Sequence, residues 1–219
     1  MLERPNSRIS TAYAAYANFA AVFAILAGAL ALLGYWFDLP ALKSILPPWP
    51  AMQANSAIAF ILLGSALLLG KRSRLSRALA AFVCLLAGLT LIEHLAGVDL
   101  GIDHWLLLQP VGAMRICLVS SLGFAMLGAS LLFFDSEIGG SRFAPFFALP
   151  VALIGLWVAI GYAYGAFHLL GLPHFPKMPL NTALAFFVLG SGVLVSDTQK
   201  SFMAVAASQS PGGILLRWL

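Results

Sequence analysis

Six apolar stretches limit what this chain can fold into. They run over Tyr13–Phe37, Asn55–Leu69, Ala78–Ala96, Ile116–Phe134, Phe143–Phe167 and Leu180–Val195. A helix needs about 20 apolar residues to cross the hydrocarbon core of a bilayer. The second and sixth stretches are short, but their mostly uncharged flanks can extend them. Only 9% of the 219 residues are charged and 61% are hydrophobic, whereas a soluble domain carries roughly 25% charged residues. The expected fold class is all-α: a polytopic membrane helix bundle of six spans, with the lipid bilayer as its first partner. Pro and Gly mark the breaks at "LPPWP" (Leu46–Pro50), "GKRSR" (Gly70–Arg74), "GVDLGID" (Gly97–Asp103), "GG" (Gly139–Gly140) and "GLPHFP" (Gly171–Pro176). No linker is long enough to separate soluble domains, so 1–219 reads as a single integral-membrane domain. No early apolar run ends in a small-residue cleavage site, so no cleaved signal peptide is expected.

Basic residues near span ends predict orientation. One side holds Arg4, Arg8, Lys71, Arg72, Arg74, Arg77, Arg142, Lys200 and Arg217; the other holds Lys43, Arg115 and Lys177. Nine against three places both ends of the chain in the cytoplasm. The loops 38–53, 97–114 and 168–178 then face outward, and Trp36, Trp49 and Trp105 lie near those outer ends, where an aromatic belt forms. The net charge is +4, but no basic tract is long enough to argue for a nucleic-acid partner. Cys84 and Cys117 both fall in apolar stretches and read as small packing residues.

The chain writes one phrase three times: "NSAIAFILLGSALLL" from Asn55, a worn "SSLGFAMLGASLLF" from Ser120, and "NTALAFFVLGSGVLV" from Asn181. Ser56, Phe60 and Gly64 align with Ser120, Phe124 and Gly128, and with Thr182, Phe186 and Gly190, at separations of 64 and 62 residues. Positions i, i+4 and i+8 share one helix face, so each copy carries a stripe of small hydroxyl, phenylalanine and glycine. "FDLP" (Phe37–Pro40), "VDLG" (Val98–Gly101) and "GLPHF" (Gly171–Phe175) occupy comparable places before the copies. The unit is span, outer loop, span and tight turn. Units of about 11–70, 75–134 and 143–197 become three parallel two-helix repeats around an axis along the membrane normal. Packing explains the stripe, since small residues let helices approach closely; lining a ligand site is the other reading. Asn55 and Asn181 fit helix capping or a bond to a neighbouring helix. Val119 holds that place in the middle copy, which excludes a three-fold ring of amides.

All four histidines fall on the outer side. His94 ends the third span, His104 follows in the next loop, and His168 and His174 flank the last outer loop, with Glu93, Asp99 and Asp103 near them in sequence. Glu93 lies one turn inside the span's outer end, where an ionised carboxylate is costly without a partner or water. Three readings compete: ordinary polar loop residues, a haem or transition metal held by imidazoles, or a site that senses pH or binds a small polar ligand. No compact zinc spacing, phosphate-cradling loop, nucleophile elbow, HExxH or CxxC is present, so no catalytic residue is nominated and no cofactor is required. Pro150 is expected to kink the fifth span.

"KMPLNTALAFFVLGSGVLV" from Lys177 and "LIEHLAGVDLGIDHWLL" from Leu91 resemble phrases in the amino-terminal membrane regions of bacterial sensor histidine kinases and related diguanylate cyclases. The resemblance covers the chain from about Ala14 onward. It implies a sensory input domain in the bacterial inner membrane, serving a cytoplasmic kinase or cyclase in cis or in trans, with a homodimer as one possible assembly. Ala54 and Leu180 stand where that phrase often has proline, and no kinase, cyclase or PAS-like segment follows. The closing "GGILLRWL" (Gly212–Leu219) reads like the opening of another helix, so 198–219 is expected to begin a further segment. Two alternatives to the sensory reading are a small transporter or channel of parallel repeats and a haem- or quinone-handling subunit.

Overall fold

A computed structural model of the chain describes residues 7–46, 49–70, 73–98, 101, 116–134, 137–138, 141–142, 144–166 and 177–196. Among these the architecture is helical: α1 (Ser7–Trp36), α2 (Pro40–Lys43), α3 (Ala54–Leu69), α4 (Arg74–Ala96), α5 (Leu118–Leu132), α6 (Ala144–Ala163) and α7 (Leu180–Ser196). A two-residue antiparallel ladder, Glu137–Ile138 (β1) on Ser141–Arg142 (β2), closes the turn between α5 and α6. Three helices are long and apolar enough to cross a membrane: α1 over Ser10–Trp36, α4 and α6. The apolar helices α3, α5 and α7 are shorter, at 16, 15 and 17 residues. At about 1.5 Å per residue they extend roughly 22–26 Å, less than the ~30 Å hydrocarbon thickness.

Position goes with length. α1 packs along α3, α4 along α5 and α6 along α7. Each long helix also leans on a short one from another pair: α1 on α7, α4 on α3 and α6 on α5. The short helices touch one another at the centre, and the long ones lie around them. Exposed side chains concentrate on the long helices instead, among them Phe19, Leu26 and Leu30 on α1, Phe82 and Leu85 on α4, and Phe146 and Trp157 on α6.

Phe60, Phe124 and Phe186 meet pairwise at the centre, with ring centroids 4.8, 5.0 and 4.7 Å apart. Leu63, Leu127 and Leu189 form the next buried layer. Gly64, Gly128 and Gly190 face the long partner helix. A Cβ on each would lie 2.6, 3.0 and 3.2 Å from the carbonyl oxygens of Ala21, Ala80 and Ala148 respectively. Two hydroxyls tie neighbouring pairs, Ser76 Oγ donating to Ala66 O and Ser130 Oγ to Ala144 O, both at 2.7 Å. α6 continues through Pro150. Cys84 and Cys117 are free thiols.

The long helices end alike. Asp38, Gly97 and Gly165 take left-handed conformations, with φ of 51°, 65° and 65°. Leu39 N–H bonds back to Gly34 O and Ala166 N–H to Gly161 O, each at 2.9 Å, the six-to-one closure of a Schellman cap. "FDLP" and "VDLG" both follow the end of a long helix; by backbone conformation Asp38 corresponds to Gly97 and to Gly165, while "GLPHF" lies outside the described residues. A glycine fills the left-handed position without strain. α2 was also not foreseen; it is a single turn started by Pro40 at its first position.

Candidate functional site

α1, α4 and α6 finish at the end of the bundle where α3, α5 and α7 begin; we call this end the crown. Three residues before each left-handed cap, one side chain reaches the carbonyl of the segment entering the short partner helix. Tyr35 OH donates to Met52 O at 3.0 Å and Tyr162 OH to Met178 O at 2.9 Å. His94 Nε2 lies 2.7 Å from Ile116 O. A carbonyl only accepts, so Nε2 carries the proton and donates. Histidine thus does in one pair what tyrosine does in the other two.

The preceding position differs as well. Gly34 and Gly161 precede the tyrosines, whereas Glu93, 1% exposed, precedes His94. A carboxyl-bearing side chain therefore stands where the other two pairs have a glycine, and at Gly34 the adjoining space is taken by Leu42 and Lys43. One turn deeper on α4, Thr90 and Asn55 of α3 supply the polar lining of a narrow cleft whose walls include Ala87, Ile116 and Phe124.

On the opposite flank the α2 segment fastens two pairs together. Lys43 O accepts both from Met52 N–H at 2.8 Å and from Asn181 Nδ2 at 2.9 Å. Asn181 Oδ1 accepts from Thr182 N–H at 3.0 Å. Asn181 therefore combines a first-turn bond with a bond to another element, although it sits inside α7 rather than at its cap. Asn55 likewise follows the cap position of α3, which belongs to Gln53. The Trp49 ring stands 5.0 Å from Tyr162, while Trp36 is exposed. The Lys43 ammonium bonds Asp38 at 2.7 Å and lies over the Tyr35 ring at 4.9 Å. The hydrogen bond and charge of Lys43 hold the Asp38 carboxyl below its ordinary pKa.

Of the seven ligand candidates, Glu93 and His94 are placed, adjacent on the last turn of α4. Asp99, Asp103, His104, His168 and His174 lie outside the described residues, as does Trp105. Among the described residues no group of three or more His, Cys, Asp or Glu side chains gathers. Ser56, Ser120 and Thr182, the phenylalanines and the stripe glycines are all buried. Tyr35, Tyr162 and the Lys43 carbonyl were missed in the sequence. Their signal is a donor side chain three residues before a left-handed helix end, which becomes legible only once that end is located. No family model, no curated protein and no solved structure matches the chain.

Proposed function

We propose that the chain is a membrane-embedded input module of six spans. It consists of three parallel two-helix units, with both termini cytoplasmic, in a bacterial inner membrane. It passes an outer-side or membrane signal to a cytoplasmic kinase or cyclase, joined in cis or held in trans. The cyclic packing of long on short helices and the recurring caps support the three-unit architecture; the excess of basic residues on one side supports the orientation. Resemblance to sensor-kinase membrane regions supports the output.

The observation that carries the sensory reading is the Glu93–His94 corner. Two corners of the crown use glycine and tyrosine, which do not change charge near neutral pH. The third uses a buried carboxyl-bearing residue and an imidazole, groups that a metal ion or a small polar solute can engage. A signal that weakens the His94–Ile116 bond loosens α4 from α5 and biases the bundle between two packings; α7 carries the shift to the output.

The test fuses the chain to a reporter histidine kinase and compares wild type with His94→Tyr, which installs the donor the other corners use. The expected variant folds, inserts and no longer answers outer-side changes in pH, metal or small polar solutes. A His94→Tyr fusion that responds as wild type does would refute the proposal.

A further inference from the structure

One turn from the phenylalanine cluster toward the crown, the short helices carry Ser56, Ser120 and Thr182, each at 0% exposure. The ring contacts fix where they face. Phe60, Phe124 and Phe186 meet pairwise, so their helix faces converge on one line. Residues four positions earlier line that axis about 6 Å further along. Met52, Ile116 and Met178, all buried, precede the three hydroxyl residues at the crown.

The hydrogen bonds of this layer do not close among the described residues. Ser120 Oγ lies 2.9 Å from Cys117 Sγ. Among the described residues Ser56 Oγ and Thr182 Oγ1 have no hydrogen-bond partner, and neither does the buried Gln53 Oε1, three residues before Ser56. A helical hydroxyl ordinarily bonds the carbonyl four residues back. Here those carbonyls, Met52 O and Met178 O, accept from Tyr35 and Tyr162. A hydroxyl buried dry is costly, and native interiors rarely leave one so.

We propose that this layer is an internal hydration site, in which ordered water on the bundle axis is shared by Ser56, Thr182 and Gln53. The donor and acceptor set selects water. Two hydroxyls offer protons while the Gln53 carbonyl oxygen requires one, and a water molecule accepts and donates at once. An anion would face the Gln53 oxygen. A cation would face the positive ends of three helix dipoles, since α3, α5 and α7 all begin here. On the far side the buried Phe60, Phe124 and Phe186 and the layer of Leu63, Leu127 and Leu189 offer water no side-chain partner, so the water ends at the rings and does not form a wire through the bundle.

X-ray radiolytic labelling of the full chain in nanodiscs, in ¹⁸O water, tests this. Bound water delivers hydroxyl radicals to neighbouring side chains however deeply they are buried. Cys117, Met52 and Met178 should take up ¹⁸O several-fold faster than Leu63 and Leu189 beyond the ring, after correction for intrinsic reactivity. The Ser56→Ala, Thr182→Val double variant should lose that excess. If it fails to fold, Thr182→Val is compared with Thr182→Ser, which keeps the hydroxyl and must keep the label. Equal labelling on both sides of the ring, or an excess that survives removal of the hydroxyls, would overturn the proposal.

Discussion

Replacing Gly64 by alanine should destabilise the bundle, whereas the same change at Gly88 should not. A Cβ at Gly64 would stand 2.6 Å from Ala21 O and 2.8 Å from Ile25 Cγ1, where ordinary contact begins at 3.4 Å. The nearer atom is helix backbone, so relief requires α1 to move as a body. α1 is held against α3 over its length and pinned at the crown by the Tyr35–Met52 bond. Overpacking of this kind costs about 1–3 kcal/mol. Alanine's better helix propensity returns ~1 kcal/mol, leaving a net loss of up to about 2 kcal/mol. A Cβ at Gly88 meets nothing within 4 Å, so the propensity gain stands alone and the sign reverses. Gly190→Ala should fall between, because its nearest contacts are 3.1 Å away. Denaturant titration in a mild detergent, followed by circular dichroism, orders the three variants. A Gly64→Ala protein as stable as Gly88→Ala would refute the claim that the stripe glycines set helix separation.

Three further outcomes follow from the same geometry. Tyr35→Phe and Tyr162→Phe should each cost at most ~1 kcal/mol, because Ser56 and Thr182 can then take the Met52 and Met178 carbonyls; thermal unfolding of the single variants reads both. Phe60→Ala and Phe186→Ala should each cost about 3–5 kcal/mol, with the double variant short of the sum because the rings touch at 5.0 Å, as a double-mutant cycle would measure. Asp38→Gly should be tolerated and Asp38→Val should lower the melting temperature, because φ is 51° there. The depressed Asp38 pKa means that any stability from the Lys43 pair is fully present above the ordinary aspartate range and is lost as pH falls through the lowered value. Since Asp38 is fully exposed, that loss should be barely visible in a pH series of melts.

The long apolar runs fixed the helices to within a few residues, because in lipid the backbone must satisfy itself and length and apolarity suffice to show where. The stripe of Ser56, Phe60 and Gly64 was legible for the same reason: a strict i, i+4, i+8 spacing survives in sequence whatever surrounds it. What could not be read were contacts made by backbone carbonyls. Met52, Ile116 and Met178 present acceptors whose chemistry is independent of their side chains, so nothing in the letters announces Tyr35, His94 or Tyr162 as their donors. The helix ends were hidden for a related reason: Asp38 and Gly97 share a left-handed conformation, not a residue type.

Where the three helix pairs make the same contact, packing accounts for the residues. Gly64, Gly128 and Gly190 meet one alanine carbonyl each, and three phenylalanines fill one centre. Departures from that pattern need a different explanation. A glycine in the Glu93 slot would match Gly34 and Gly161 at no desolvation cost, and a tyrosine at His94 would keep the same hydrogen bond. The other two pairs pack without a carboxyl-bearing residue or an imidazole at these positions, so Glu93, at 1% exposure, and His94 are what sets this corner apart. If the pair serves a signal, converting it to glycine and tyrosine should yield a bundle that still folds but is unresponsive in a kinase fusion. A Glu93→Gly, His94→Tyr protein that no longer folds would instead make this corner structural, and the search for the input would move to the outer loops.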